Sequence, residues 1–202
     1  MPKLIVYYAH PGQHFSQVNA AMFQAAQQVD DINCVDLYAE YPRFEIDPDK
    51  EQQRLLDHDI ILFQFPLFWY STPSLLKEWQ DLVLEHGFAY GSGGSKLVGK
   101  QMMLAITTAG PTESYSPDGY QNHHLRDFLR PMEQTATLCK MQFLPPFALY
   151  GSLKAAKAGQ IETHVAGYTQ LLTALRDGTF DAGPTDPLTV LTADHFPTRQ
   201  GA

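Results

Sequence analysis

Residues 59–79, DIILFQFPLFWYSTPSLLKEW, decide how this chain folds. The apolar run from Ile60 to Phe65 is short and continuous, the pattern of a strand covered on both faces. After Thr72 the pattern turns helical. Thr72 and Pro73 read as an N-cap and a first-turn proline, Leu75, Leu76, Trp79, Leu82 and Val83 form one stripe, and Gly87 is a natural stop. Between strand and helix stands FPLFWYSTP. A connecting loop at the surface is usually polar, yet this one holds Phe65, Leu67, Phe68, Trp69 and Tyr70. Either these rings fill the gap between strand and helix, or they line a slot for something flat.

The same unit recurs along the chain. LIVYYA (4–9), IILFQF (60–65), MMLAIT (102–107) and MQFLPPFALY (141–150) read as buried strands, and INCVDLY (32–38) as a weaker strand near an edge. Helical patterns separate them. SQVNAAMFQAAQQV (16–29) has a candidate N-cap at Ser16 and a stripe of Val18, Ala21, Met22, Ala25 and Val29. DPDKEQQRLLDHD (47–59) opens with Asp47 and Pro48, HLRDFLRPMEQTATLC (124–139) carries Pro131 as a boundary or kink, and 160–176 reads as a final helix. Alternating strands and helices predict a three-layer α/β sandwich around a doubly wound, five-stranded parallel sheet spanning 1–176. Residues 177–202, rich in Gly, Pro, Thr and Asp, read as an extension outside the core.

Composition narrows the function. The 202 residues are 44% hydrophobic and 18% charged, enough apolar material for one substantial core. The net charge of −8 argues against a nucleic-acid groove or a generic binder of anionic membranes. The two cysteines, Cys34 and Cys139, are far apart and in no metal-like spacing, as expected of a reduced cytoplasmic protein. No apolar run approaches the roughly 20 residues needed to cross a bilayer, and KLIVYYA has the wrong flanks for a signal peptide. A soluble protein is expected.

In an open parallel sheet, ligands bind beyond the carboxyl ends of the strands. That rule selects HPGQHFSQVN (10–19), FPLFWYSTP (65–73), TTAGPTESYSPDGY (107–120) and PPFALYG (145–151). The first loop ends at a helix N-terminus, where backbone N–H groups favour an anion. Ser16 reads equally as a cap or a phosphate donor, and His10 and His14 add donors. Their spacing suits a metal only on a helix, and Pro11 and Gly12 make the stretch a loop, so no metal is expected. The loop is neither a Walker motif nor a dinucleotide fingerprint. Thr107, Thr108 and Gly110 offer hydroxyls and backbone to a polar ring edge, or are ordinary turn residues. A flavin, apolar on its faces and edged with carbonyl and N–H groups, satisfies all of these loops at once.

Taken together, FPLFWYSTPSLLKEW, GFAYGSGGSKLVGK, ITTAG and YYAHPGQHFSQVN resemble the flavodoxin-like NAD(P)H:quinone oxidoreductases. Within that group the likeness is greatest to the Kef-type ancillary subunits of glutathione-gated potassium-efflux systems. The resemblance implies a flavodoxin-like fold and an FMN cofactor, with FAD as the alternative. It also implies NADH or NADPH as hydride donor, a quinone acceptor served by a ping-pong cycle, and a homodimer with the flavin at the subunit interface. By motif, His10, Ser16, Gln17, Val18 and Asn19 would hold the phosphate end. Leu67, Phe68, Trp69 and Tyr70 would line the ring, and Thr107, Thr108, Ala109 and Gly110 would face its polar edge. Tyr115 matches a tyrosine that in animal quinone reductases stabilises charge on the reduced flavin with a histidine six residues later. Here that later position is Gln121, and His123 and His124 are out of register. The usual glycine pair is changed to Ala109 and Gly110.

A second reading from the same resemblance is a regulatory ancillary subunit that binds a potassium-efflux membrane protein on the inner face of the membrane. A phospho-acceptor receiver on this fold is disfavoured, because YYAHPG and FPLFWY stand where its acids should be. GSGGSK (91–96) follows a helix and reads as a connector. Trp79 reads as core, and Tyr41 and Phe44 read as local packing or as a reach toward a partner subunit.

Overall fold

The computed structural model describes residues 1–12, 16–181 and 186–194. Its sheet contains β1 (Leu4–Tyr8), β2 (Ile32–Asp36), β3 (Ile60–Pro66), β4 (Gln101–Thr107), β5 (Gln142–Phe143) and β6 (Phe147–Leu149). All pairings are parallel, in the order β2-β1-β3-β4, with β5 and β6 sharing the outer edge of β4. The fifth strand position is therefore filled by two short pieces where one strand, 141–150, was expected. Pro145 and Pro146 separate them, because a proline has no N–H to give the ladder.

Strand alternation explains the two cores. On β3, Ile61, Phe63 and Phe65 face one layer with Trp79, Leu75 and Leu76, while Ile60 and Leu62 face the other with Met22, Tyr168 and Leu172. The helices are α1 (Val18–Ala26), α2 (Leu37–Glu40), α3 (Pro48–Asp57), α4 (Ser74–Val83), α5 (Leu125–Phe128), α6 (Arg130–Leu138) and α7 (Gln160–Asp177). Asp47 caps α3 as expected, its Oδ1 accepting from Lys50 N at 3.0 Å.

Several local expectations are corrected. INCVDLY does not stay extended to Tyr38, because the Asp36 carboxylate accepts from Tyr38 N and Ala39 N and starts α2. The buried stripe of α1 is Val18, Asn19, Met22, Phe23 and Ala26, rotated from the expected one because Asn19 and Phe23 turn inward. Helix α4 begins at Ser74 without a side-chain cap, so Thr72 is not its N-cap, and Leu82 is exposed. Pro131 sits in the first turn of α6, at the break from α5.

The expected extension outside the core has an anchor within it. Leu191 is buried, its N–H donates to Pro146 O at 2.8 Å, and its carbonyl accepts from Ala148 N at 2.8 Å. The edge of β6 has unpaired groups to offer, and this segment takes them. Among the described residues, no helix is long and apolar enough to cross a membrane, and no group of three His, Cys, Asp or Glu could hold a metal.

Candidate active site

The carboxyl ends of β1, β3 and β4 open onto one cleft of about 400 Å³. Of the residues selected from sequence, His10, Ser16, Gln17, Val18, Asn19, Phe68 and Thr107 line it. Pro66, Ser152 and Leu153 also line it and are not among the residues the sequence points to; the last two lie in the loop after β6, directly past PPFALYG. His14 lies outside the described residues.

His10 is 9% exposed, and its Nδ1 accepts from Gly12 N at 3.1 Å. That bond leaves Nε2 as the protonated nitrogen of the neutral ring. Burial lowers its pKa from the usual histidine value, so at neutral pH it supplies a donor and no charge. Its ring meets Phe68 edge-on at 5.8 Å. Ser16 Oγ accepts from Ala20 N at 3.2 Å, which uses its lone pair as a cap and leaves its hydroxyl proton to donate. Helix α1 has no side-chain cap at Gln17 and carries no acid in its first turn. Its N-terminal amides thus present partial positive charge to the cleft.

Asn19 is 4% exposed, and its Nδ2 donates to Thr107 Oγ1 at 2.8 Å. Its Oδ1 is buried with no partner among the described residues, an acceptor left open at the cleft. Thr107 O accepts from Leu67 N at 2.9 Å and roots the aromatic turn on β4.

That turn closes tightly. Phe68 N donates to Ser71 O at 3.1 Å and Ser71 N to Phe68 O at 2.9 Å, with Trp69 at φ 47° and Tyr70 at φ 62°. Positive φ at both central positions is the geometry that normally selects Asn-Gly. Here two bulky aromatic residues occupy it, at about 1–2 kcal/mol each. Trp69 is 93% exposed. Tyr70 turns away from the cleft and stacks on Phe128 at 4.9 Å. Leu67 lines a separate small cavity of about 110 Å³ beside Phe128 and Met132.

The remaining selected residues follow Thr107 on the loop after β4 and are not among those that line the cleft. Thr108 is buried, its Oγ1 donating to Gly110 O at 2.9 Å and its carbonyl accepting from Ser152 N at 2.8 Å. Ala109 is exposed. A Cβ on Gly110 would come within 3.1 Å of the Tyr115 ring, so the glycine permits that close approach. Tyr115 follows a 3₁₀ turn, Thr112–Ser114, and packs edge-on against Phe128 at 6.1 Å and tilted against Tyr150 at 5.6 Å. Burial raises Tyr150 to about 12, so its hydroxyl stays protonated. His123 meets the same Phe128 ring at 5.8 Å, whereas the backbone of His124 donates to Asp127 as part of the cap of α5. Phe128 thus gathers Tyr70, Tyr115 and His123; as one aromatic in a helical pattern it carried no signal in the sequence.

A family model described as flavodoxin-like fold matches residues 2–172. The chain belongs to that family. The strand order and the position of the cleft agree with it. Among curated relatives, an NAD(P)H oxidoreductase of Bacillus subtilis, YrkL, is 47% identical over 155 residues, covering 77% of this chain and 89% of the relative. The glutathione-regulated potassium-efflux system ancillary protein KefG of Cronobacter sakazakii is 43% identical over 170 residues, covering 84% and 92%. Among solved structures, general stress protein 14 of Treponema denticola in complex with FMN superposes with a TM-score of 0.79 at 35% identity, covering 88% of this chain and 99% of the other. An NADPH-quinone reductase of P. pentosaceus gives 0.73 at 26% identity, covering 84% and 97%.

Proposed function

We propose that this chain is an FMN-dependent NAD(P)H:quinone oxidoreductase. The observation that carries the reading is the convergence on one cleft of a helix N-terminus with no acid in its first turn, a buried amide oxygen without a partner among the described residues, and an aromatic turn. The N-terminal amides of α1, with Ser16 and the neutral His10, would hold the phosphate. Asn19 and Thr107 would meet the polyol chain, whose hydroxyls both donate and accept. Phe68 and Trp69 would flank the ring. When bound, the flavin supplies the two-electron chemistry, taking a hydride from NAD(P)H and passing it to the acceptor. The chain would orient the two substrates in turn in one slot, and donors from the Ala109 and Gly110 backbone and the Tyr115 hydroxyl, on the loop that follows β4, would stabilise negative charge at the ring's carbonyl edge.

Exposed Trp69, Tyr120 and Leu153, at 93%, 86% and 81%, are the surface that a second copy would cover, completing the site as a homodimer. The test of the function is the spectrum of the purified protein and the mass of whatever heat releases. Flavin absorption, an FMN mass, and parallel-line kinetics with NAD(P)H and a soluble quinone are expected. A colourless chain that refuses FMN at micromolar concentration overturns the reading.

The likeness to KefG favours a second role, as a regulatory subunit of a potassium-efflux protein. Co-purification with such a protein is the expected result, and unchanged efflux gating after deletion would count against it. The two roles are compatible.

A further inference from the structure

Gln64 is the one polar residue in the apolar run of β3, and it is fully buried. Strand alternation turns it toward α1 and α7, away from Trp79. Its Oε1 accepts from Tyr168 Oη on α7 at 3.1 Å, and its Nε2 donates to the main-chain carbonyl of Asn19 at 2.7 Å. Asn19 Nδ2 in turn donates to Thr107 Oγ1 at 2.8 Å. A single file of hydrogen bonds therefore runs from α7 through β3 and α1 to the end of β4. Tyr168 and Gln64 are 0% exposed, Thr107 3% and Asn19 4%.

The Gln64 amide accepts at one end and donates at the other, so its two bonds polarise one another, and the link onward to Thr107 passes through the covalent frame of Asn19. Holding α1 and α7 on the sheet does not require it. Apolar groups of the same shape would do so without the cost of burying polar ones. What apolar groups would not do is set direction. The Asn19 carbonyl can only accept, so it fixes Nε2 of Gln64 toward α1; Tyr168 holds the other end by donating to Oε1, and Gln64 thereby ties the first turn of α1 to β3. The file starts at a residue outside the cleft and ends on two that line it.

We propose that Gln64 and Tyr168 are positioning residues for the phosphate end of the cofactor site: through the Asn19 main-chain carbonyl they aim the first-turn amides of α1. The inference rests on the flavin reading. A charge-assisted bond from an aimed amide is more sensitive to misdirection than apolar contact with a ring, so FMN should suffer more than riboflavin, which lacks the phosphate.

The test is titration of the flavin-free full-length chain with FMN and with riboflavin, for the wild type, Tyr168→Phe, Gln64→Met and Trp79→Phe. The last removes a buried hydrogen bond, Trp79 Nε1 to Glu51 at 3.1 Å, from the opposite layer and serves as the control. In the first two variants FMN binding should weaken about tenfold, the size of one charge-assisted bond lost, while riboflavin binding changes by less than about threefold. Trp79→Phe should lower thermal stability and leave the FMN-to-riboflavin preference intact. Equal weakening of both ligands, or an unchanged preference in either variant, overturns the inference and leaves the flavin reading standing. Should Tyr168→Phe not fold, Gln64→Met decides alone. A wild type that binds neither ligand sinks the flavin reading, and this inference with it.

Discussion

Replacing Trp69 by Asn should make the flavin-free protein more stable and the enzyme worse. Trp69 lies at φ 47° with 93% of its surface exposed, so its conformation is costly and its burial returns nothing in the isolated chain. The left-handed region costs a bulky L-residue about 1–2 kcal/mol, and Asn adopts it several-fold more readily. Little packing is lost, because the ring contacts of the turn belong to Phe68 and Tyr70. The net gain should be about 1 kcal/mol, which raises Tm by roughly 2–4 °C in a chain of this size. Calorimetry of the flavin-free protein measures it. In parallel, the quinone half-reaction should slow, since a flat face beside the ring is gone. A loss of stability of 1 kcal/mol or more would refute the reasoning, because it would mean that Trp69 is held by packing and the turn is not strained.

Tyr115→Phe should leave FMN binding unchanged and slow flavin reduction by NAD(P)H about 10²–10³-fold, the usual effect of removing one such donor, as read by stopped-flow absorbance. Glu51 is fully buried and accepts from Tyr41 Oη at 2.6 Å and Trp79 Nε1 at 3.1 Å, with Arg54 alongside. Glu51→Leu leaves those donors unpaired and should cost about 3–5 kcal/mol, a Tm fall of roughly 10 °C by calorimetry; a fall under about 3 °C would contradict the network. His164, 2% exposed and stacked on Phe147 at 4.7 Å, is pushed down to about 4 by burial. The unfolded chain takes up that proton near pH 6.5 and the folded one does not, so stability is full above 6.5 and is lost as pH falls toward 4, by about 3 kcal/mol. His10, also lowered, adds to the loss with the same sign. Urea titrations from pH 7 to 4 should therefore show a shallower decline for His164→Leu than for the wild type, and parallel curves would rule this out.

The sheet was legible because β1, β3 and β4 are buried on both faces and are written as unbroken apolar runs. What escaped were features set by a single group. A carboxylate at Asp36 turns an apparent strand into α2. Two prolines with no N–H split the fifth strand position, although both were in plain view in MQFLPPFALY. Leu191 is one leucine in a stretch of Gly, Pro and Thr, with no period to mark it, yet the open edge of β6 captures it. At the site, the residues legible in advance were those tied to an element boundary: the start of α1, the end of β4 and the base of the turn. Ser152 and Leu153 come from the loop after β6 and Phe128 from the end of α5, segments that only the tertiary fold brings in. The direction of Tyr70 depends on a positive φ that propensity argues against for an aromatic residue.

Three aromatic residues share that unfavourable backbone: Phe44 at φ 63°, Trp69 at 47° and Tyr70 at 62°. All three are exposed large hydrophobic side chains, at 42%, 93% and 48%. Bulky rings in this region cost about 1–2 kcal/mol apiece, and exposed rings recover little of it through burial. Strain of this kind persists where surrounding structure and function over-determine it. A bound flat ring would cover Trp69 from one side, and a second copy would cover what remains. The strain is then a cost of pre-organisation, borne by the free chain and offset when the rings are covered. If so, flavin binding should tighten as the chain dimerises, because each covers apolar surface that the other leaves open. A flavin affinity independent of protein concentration, across the range where sedimentation shows dimers forming, would separate the two and leave the exposed rings without a common cause.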